Sequence, residues 1–292
     1  MTTYMKSDIC VGMHVSISGS ISNSIDNAKT IGCNAFQIFT RNPRGWSAPR
    51  LLKKEADEFR KKVKASEFDR LSIVAHMPYL PNFSSPEKVS FQRSMNSLIE
   101  EAKRCSLLGI PYLVAHIGSH KGVGSKKGVE TVVKAFRKAA KETPDDVMIL
   151  LENNAGHKHS VGSKFEEFAK IFSQLESLER FGICFDTCHA FAVGYELRTL
   201  KSASETFAKF TELTGKENIK LIHLNDSRGP IGCNTDRHEH IGLGKIGAKG
   251  FSHFVKFANS NKVPIILETP IDDRRDDVEN IRIVRELANG KI

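Results

Sequence analysis

Apolar residues gather in eight short runs: 10–15 (CVGMHV), 35–39 (AFQIF), 72–76 (SIVAH), 112–116 (YLVAH), 148–152 (MILLE), 181–186 (FGICFD), 219–224 (IKLIHL) and 264–268 (PIILE). Each has the length and composition of a buried strand. The segments between them carry apolar residues at spacings of three and four, the signature of a helix packed on one face. These segments are 22–32, 51–65, 88–108, 128–141, 164–177, 202–214, 248–260 and 273–288. In 88–108, Phe91, Met95, Leu98, Ile99, Ala102 and Cys105 share one face. Strand and helix alternate eight times, which predicts an α/β fold, a single-domain (β/α)8 TIM barrel over residues 1–292. Near-continuous apolar strands fit a parallel sheet covered on both faces.

Six of the runs carry a metal-type ligand at or beside their C-terminal end: His76, His116, Glu152, Asp186, His223 and Glu268. Side chains at that edge of a parallel barrel converge in space however far apart they lie in sequence. A doubly wound open sheet would concentrate such residues at one switch point instead. Two neighbouring motifs enlarge the set: DTCH adds His189, and DRH adds Asp236 and His238. A lone histidine at a strand end is more often structural, but six successive strands ending this way point to a metal site. Nine nitrogen and oxygen ligands are too many for one ion. Such a set suits zinc, with manganese as the alternative at some positions. A glutamate can bridge two ions, and paired ions suit in-line displacement at a phosphodiester.

Composition adds a partner class. Lys+Arg 43 against Asp+Glu 34 gives a net charge of +9 and a pI near 9.2, a balance that favours an anionic partner such as nucleic acid. Cys10, Cys33, Cys105, Cys184, Cys188 and Cys233 are scattered and mostly within apolar runs, so they are expected buried and reduced. No run approaches the roughly 20 apolar residues of a membrane span, and the first residues lack a secretory pattern. A cytoplasmic protein is expected, nucleoid-associated if the source is a prokaryote, with nothing against a monomer.

The motifs GMHVS (12–16), FTRNPRGW (39–46), HMPY (76–79), HIGSH (116–120), LENNAG (151–156), CFDTCHAFAVGYEL (184–197), IHLNDSRG (222–229), DRHEHIGLGKIG (236–247) and ILET (266–269) resemble endonuclease IV, the zinc-dependent apurinic/apyrimidinic endonuclease family. The resemblance spans about residue 12 to 269, and DTCHAFAxGY, HLNDS and DRHxxxGxGxIG in this order are highly specific. It implies three zinc ions per chain. His76, His116 and Glu152 would hold the first. Glu152, Asp186, His223 and Glu268 would hold the second, with Glu152 and a hydroxide bridging. His189, Asp236 and His238 would hold the third. Glu152 and Glu268 are the implied catalytic carboxylates. The implied substrate is duplex DNA with abasic sites or blocked 3′ ends. The implied reaction is hydrolysis 5′ to the abasic site, leaving a 3′-hydroxyl and a 5′-deoxyribose phosphate.

The same resemblance places Arg44 and Tyr79 at the positions of side chains inserted into the DNA stack, where a wedge can hold a lesion flipped out. Lys121, Lys126 and Lys127, in the stretch GSHKGVGSKKG, and Asn225, Asp226, Ser227 and Arg228 are further candidates for phosphate contacts. His14 faces the same mouth, where orienting a ligand or meeting DNA is expected of it rather than ligation. The competing reading is a metal-dependent sugar isomerase or epimerase on the same barrel. It needs only Glu152, Asp186, His223 and Glu268 and leaves five of the nine ligands without a role.

Overall fold

A computed structural model describes residues 9–175 and 178–291. Eight parallel strands close into a barrel: β1 (Val11–His14), β2 (Ala35–Phe39), β3 (Ile73–His76), β4 (Tyr112–His116), β5 (Met148–Glu152), β6 (Phe181–Asp186), β7 (Ile219–His223) and β10 (Ile265–Leu267). Their order around the barrel is β1-β10-β7-β6-β5-β4-β3-β2, so chain neighbours are sheet neighbours and β10 closes on β1. Outside run α1 (Asn23–Thr30), α2 (Lys53–Lys64), α3 (Lys88–Leu108), α4 (Ser125–Glu142), α5 (Phe165–Phe172), α7 (Leu200–Thr214), α8 (Ala248–Asn261) and α9 (Asp277–Ala288). The helix expected over 164–177 stops at Phe172, and residues 176–177 of that expectation lie outside the described residues. No helix among the described residues is long and apolar enough to cross a membrane.

The two apolar faces of each strand serve different cores. Ala35, Val74, Val114, Leu150, Cys184, Leu221 and Ile266 form a separate buried cluster inside the barrel. Residues one position away, such as Ala75, Leu113, Ile149, Leu151, Phe185, Ile222 and Ile265, pack outward against the helices in the main core. Strand side chains alternate faces with a period of two. The residue two places after each inner-cluster member therefore also points inward, one layer higher. Those residues are Gln37, His76, His116, Glu152, Asp186, His223 and Glu268. The apolar plug is thus a floor for a ring of polar side chains at the C-terminal mouth. On β1 the floor position is Gly12, where a Cβ would lie 1.6 Å from the Ala35 carbonyl oxygen.

A helix and a hairpin at the mouth have no counterpart in the sequence-based expectation. The helix α6 (Thr187–Val193) follows β6 without a break. Asp186 caps it, accepting from the His189 amide at 2.7 Å, and Gly194 ends it at φ 118°. A hairpin of β8 (Asp226–Ser227) and β9 (His238–Glu239) pairs Ser227 with His238 and folds the chain back over the mouth.

Candidate metal centre

The nine predicted ligands meet in three groups, each with ligand atoms within 4.8 Å of one another: His76–His116–Glu152, Glu152–Asp186–His223–Glu268 and His189–Asp236–His238. Glu152 is buried and joins the first two. Its Oε2 lies 3.3 Å from His76 Nε2 and 2.9 Å from His116 Nε2. Its Oε1 lies 2.9 Å from His223 Nδ1. One carboxylate thus turns an oxygen to each side, as a bridging ligand must. In the second group His223 Nδ1 also lies 3.3 Å from Glu268 Oε2 and 3.9 Å from Asp186 Oδ2. In the third, Asp236 reaches His189 Nε2 at 3.2 Å and His238 Nε2 at 3.0 Å.

Local structure brings in the ligands that strands do not carry. The turn of α6 carries His189 round from its cap Asp186, because positions i and i+3 share a face. The hairpin returns His238, and the loop before β9 supplies Asp236. Main-chain carbonyls hold the far nitrogens of three rings: His76 Nδ1 to Met77 O (2.7 Å), His189 Nδ1 to Asn153 O (2.8 Å) and His238 Nδ1 to Glu268 O (3.0 Å). Each ring therefore presents Nε2 inward, the orientation that outer partners impose on metal-binding histidines. His189 Nε2 is buried and faces the Asp236 carboxylate at 3.2 Å without a well-aligned hydrogen bond.

Electrostatics agree with a cation site. Burial pushes Glu152 up, but the His116 and His223 imidazoles outweigh it and hold the carboxyl well below its usual range. Burial likewise opposes His238, yet Asp236 and Asp186 raise it to about 9. His116 and His189 are also raised, against burial, by the carboxylates facing them, and His223 is raised first by the Cys184 sulfur and then by Glu268 and Glu152. Asp186 goes up, chiefly through burial. Four carboxylates in so small a space call for compensating positive charge, which protons on the histidines provide and which divalent ions would provide in their place. The nitrogen and oxygen donors fit zinc or manganese. Cys184 and Cys188 sit beside these groups but are neutral: burial pushes the Cys184 thiol to about 12 and also raises Cys188, whose Sγ donates to Arg237 O. All six cysteines are free and are buried or partly buried, as expected.

A cavity of about 540 Å³ opens above the groups, lined by His14, Tyr79, Arg228, Arg237, Ile271 and several ligands. Tyr79 is 62% exposed, and its amide donates to Pro43 O at 3.1 Å, tying its loop to the one that carries Arg44. Arg44 is exposed and stands outside the lining. Beneath it, buried Arg41 bonds Glu101, Ser97 and Gly45 O, which pins the loop to α3. Lys126 and Lys127 lie in the first turn of α4 rather than in the preceding loop, which keeps Lys121. Asn225, Asp226 and Ser227 are fully buried and cannot meet phosphates; only Arg228 of that motif is exposed. Asn225 donates to Asp186 Oδ2 at 2.7 Å. Asp226 accepts from the amides of Gly242, Gly244 and Ile246. At Gly244 a Cβ would fall 2.4 Å from Asp226 Oδ1, so the glycine-rich GLGKIG wraps a buried carboxylate.

A match to a family model described as a xylose isomerase-like TIM barrel covers residues 25–288. A protein of Nitrosopumilus maritimus named probable endonuclease 4 is 55% identical over 278 residues, 95% of this chain and 99% of the relative. The chain belongs to the endonuclease IV family. Another family member, probable endonuclease 4 of Methanoculleus marisnigri, is 47% identical over 97% of this chain and its own full length. The crystal structure of endonuclease IV from Thermus thermophilus superposes with a TM-score of 0.83 at 32% identity, covering 96% of this chain and 99% of that one. A D-tagatose 3-epimerase-like protein, 19% identical with a TM-score of 0.72 over 97% of this chain and 99% of its own, shares the fold.

Three contributors were not singled out from the sequence, although Asn153 lies within the LENNAG motif. Asn153 bonds the Asp186 main chain in both directions, through Nδ2 at 3.0 Å and Oδ1 at 2.8 Å, and its carbonyl holds His189. Gln37 bridges the mouth from β2. Ile271 is 97% exposed at the cavity rim. Its segment is fixed by buried His240, bonded to Asp272 and Asn280, and by Arg274, which grips Glu239 and Asp272. An isoleucine between a proline and a run of charges was the available signal for it.

Proposed function

We propose that this chain is a DNA-repair endonuclease that hydrolyses the phosphodiester 5′ to an abasic site in duplex DNA, leaving a 3′-hydroxyl and a 5′-deoxyribose phosphate, and that it trims blocked 3′ ends. Three zinc ions per chain would be held by the three groups, with manganese as a substitute at some positions. When bound, such ions supply Lewis-acid charge to the scissile phosphate and acidify a water. The chain's own residues hold the pieces in place. Glu152 spans two groups, Glu268 anchors the side nearest β1, and the carbonyl-held histidines keep their Nε2 atoms turned inward. We place the enzyme inside the cell as a monomer.

The observation that carries this reading is the number of ligands brought together. A sugar epimerase site would employ the four residues around His223 and leave His76, His116, His189, Asp236 and His238 idle. Metal counting on the purified protein, combined with nicking of an abasic oligonucleotide duplex, tests it. Three zinc ions with nicking are expected; a single ion, ketose turnover and no nicking would overturn it.

Arg44, Tyr79 and Ile271 stand on three loops around the mouth and are assigned to the wedge. Unstacking is cheapest at a damaged site, so a rigid wedge favours lesions. For Arg44→Ala, discrimination of abasic over intact duplex is expected to fall roughly tenfold, about 1.4 kcal/mol of the few kcal/mol that unstacking costs. Competition binding with the two duplexes reads this, and unchanged discrimination would remove Arg44 from the wedge.

A further inference from the structure

Gln37 is buried inside the barrel, belongs to none of the three groups and carries no ligand signal in its run AFQIF. We propose that Gln37 is a positioning residue that fixes which nitrogen of His223 carries a proton and which oxygen of Glu268 stays free, and so sets metal affinity at the central group. This deepens the metal-centre reading and rests on it.

Hydrogen-bond chemistry forces the arrangement. An amide nitrogen only donates and an amide oxygen only accepts. Gln37 Nε2 lies 2.7 Å from Glu268 Oε1. Turning the amide over would set two acceptor oxygens against each other at that distance, so the carboxylate fixes the amide. Gln37 Oε1 then faces His223 Nε2 at 2.8 Å, and that ring nitrogen must donate. His223 therefore keeps a proton on Nε2 and turns Nδ1 toward Glu152 and Glu268. A proton on Nδ1 is the one an ion would displace; the proton on Nε2 is retained. The second amide hydrogen reaches His14 Nδ1 at 2.9 Å, which requires a lone pair there and leaves His14 neutral. Burial acts on His14 in the same direction. Its 3.4 Å approach to Glu268 is thus not an ion pair, and Glu268 Oε1 is held by Gln37 while Oε2 faces the group.

His223 differs in this from the carbonyl-held rings of His76, His189 and His238. Its outer partner is a side chain, reaching across the barrel interior past β1 and β10, and substitution can delete it.

Gln37→Met keeps the length of the side chain and removes all three hydrogen bonds, to Glu268, His14 and His223. Gln37→Glu keeps an acceptor for His223 and sets a second carboxylate against Glu268. Zinc affinity of the purified protein is measured by chelator competition, and the His223 tautomer by nitrogen-15 NMR of histidine-labelled protein. In Gln37→Met, one zinc ion is expected to weaken by roughly tenfold to a hundredfold, the range for losing an outer partner of a ligand. The other ions and the thermal midpoint should hold. The hydrogen-bonded Nε2–H signature of His223 should disappear in Gln37→Met and persist in Gln37→Glu, a pattern that a merely space-filling glutamine would not produce. Unchanged zinc affinity in Gln37→Met overturns the role of Gln37. A wild-type protein that binds no zinc overturns the metal-centre reading itself. Should Gln37→Met fail to fold, wild-type zinc affinity in Gln37→Glu overturns the proposal.

Discussion

Glu152→Gln is expected to lower cleavage of abasic duplex by about a thousandfold or more, well beyond the ~10–100-fold cost of losing an outer partner. The reason lies in how the carboxylate is shared. Oε2 serves His76 and His116, and Oε1 serves His223. Glutamine keeps one acceptor oxygen and turns an amide NH2, which offers no lone pair, toward the other group. Whichever way it settles, one of the two groups loses a ligand and the site loses a negative charge. The substitution is isosteric and leaves the Leu150 floor beneath it intact, so folding and DNA binding should persist. His189→Ala provides a graded comparison, because it removes a ligand from the third group alone and should cost less. A single-turnover nicking assay beside a binding isotherm separates the effects. Near wild-type cleavage by Glu152→Gln would sink the bridging assignment.

The barrel was legible because eight apolar runs and the helical periods between them have the right lengths, and strands β2, β4, β5 and β6 coincide with their predicted bounds. The six ligands on or beside those runs were legible for the same reason. Period-two alternation places His76 over Val74, His116 over Val114 and Glu152 over Leu150, so position in the run already implied direction. What escaped were elements too short to show a period. The seven residues of α6 and the two-residue strands of the hairpin carry no repeat, although they deliver His189 and His238. Gln37 escaped because one polar residue in an apolar run does not reveal which groups lie across the barrel. Asp226 was misjudged because a carboxylate near a basic motif resembles a surface group. Only the fold shows glycine amides closing around it.

Stripping metal from the protein is expected to abolish nicking and to destabilise the fold more as pH rises. Without ions, the four site carboxylates are balanced by protons on His116, His189, His223 and His238, all raised above the ordinary histidine value. A raised group contributes stability that is fully present below its unfolded pKa, about 6.5 for histidine, and lost as pH climbs through its folded pKa, about 9 for His238. For a shift of that size the loss is roughly 3 kcal/mol from one residue. Asp186, raised mainly by burial, acts with the same sign. Glu152, Glu268 and Asp236 are lowered, so their contribution is present above the unfolded carboxylate range and fades only in acid, outside this window. In the loaded protein ions replace these protons, and their binding strengthens as pH rises because protons no longer compete. Thermal unfolding of chelator-treated and untreated protein should therefore differ little near pH 6 and widely near pH 9. An equal gap at both pH values would mean that the histidines do not carry the compensating charge in the metal-free state.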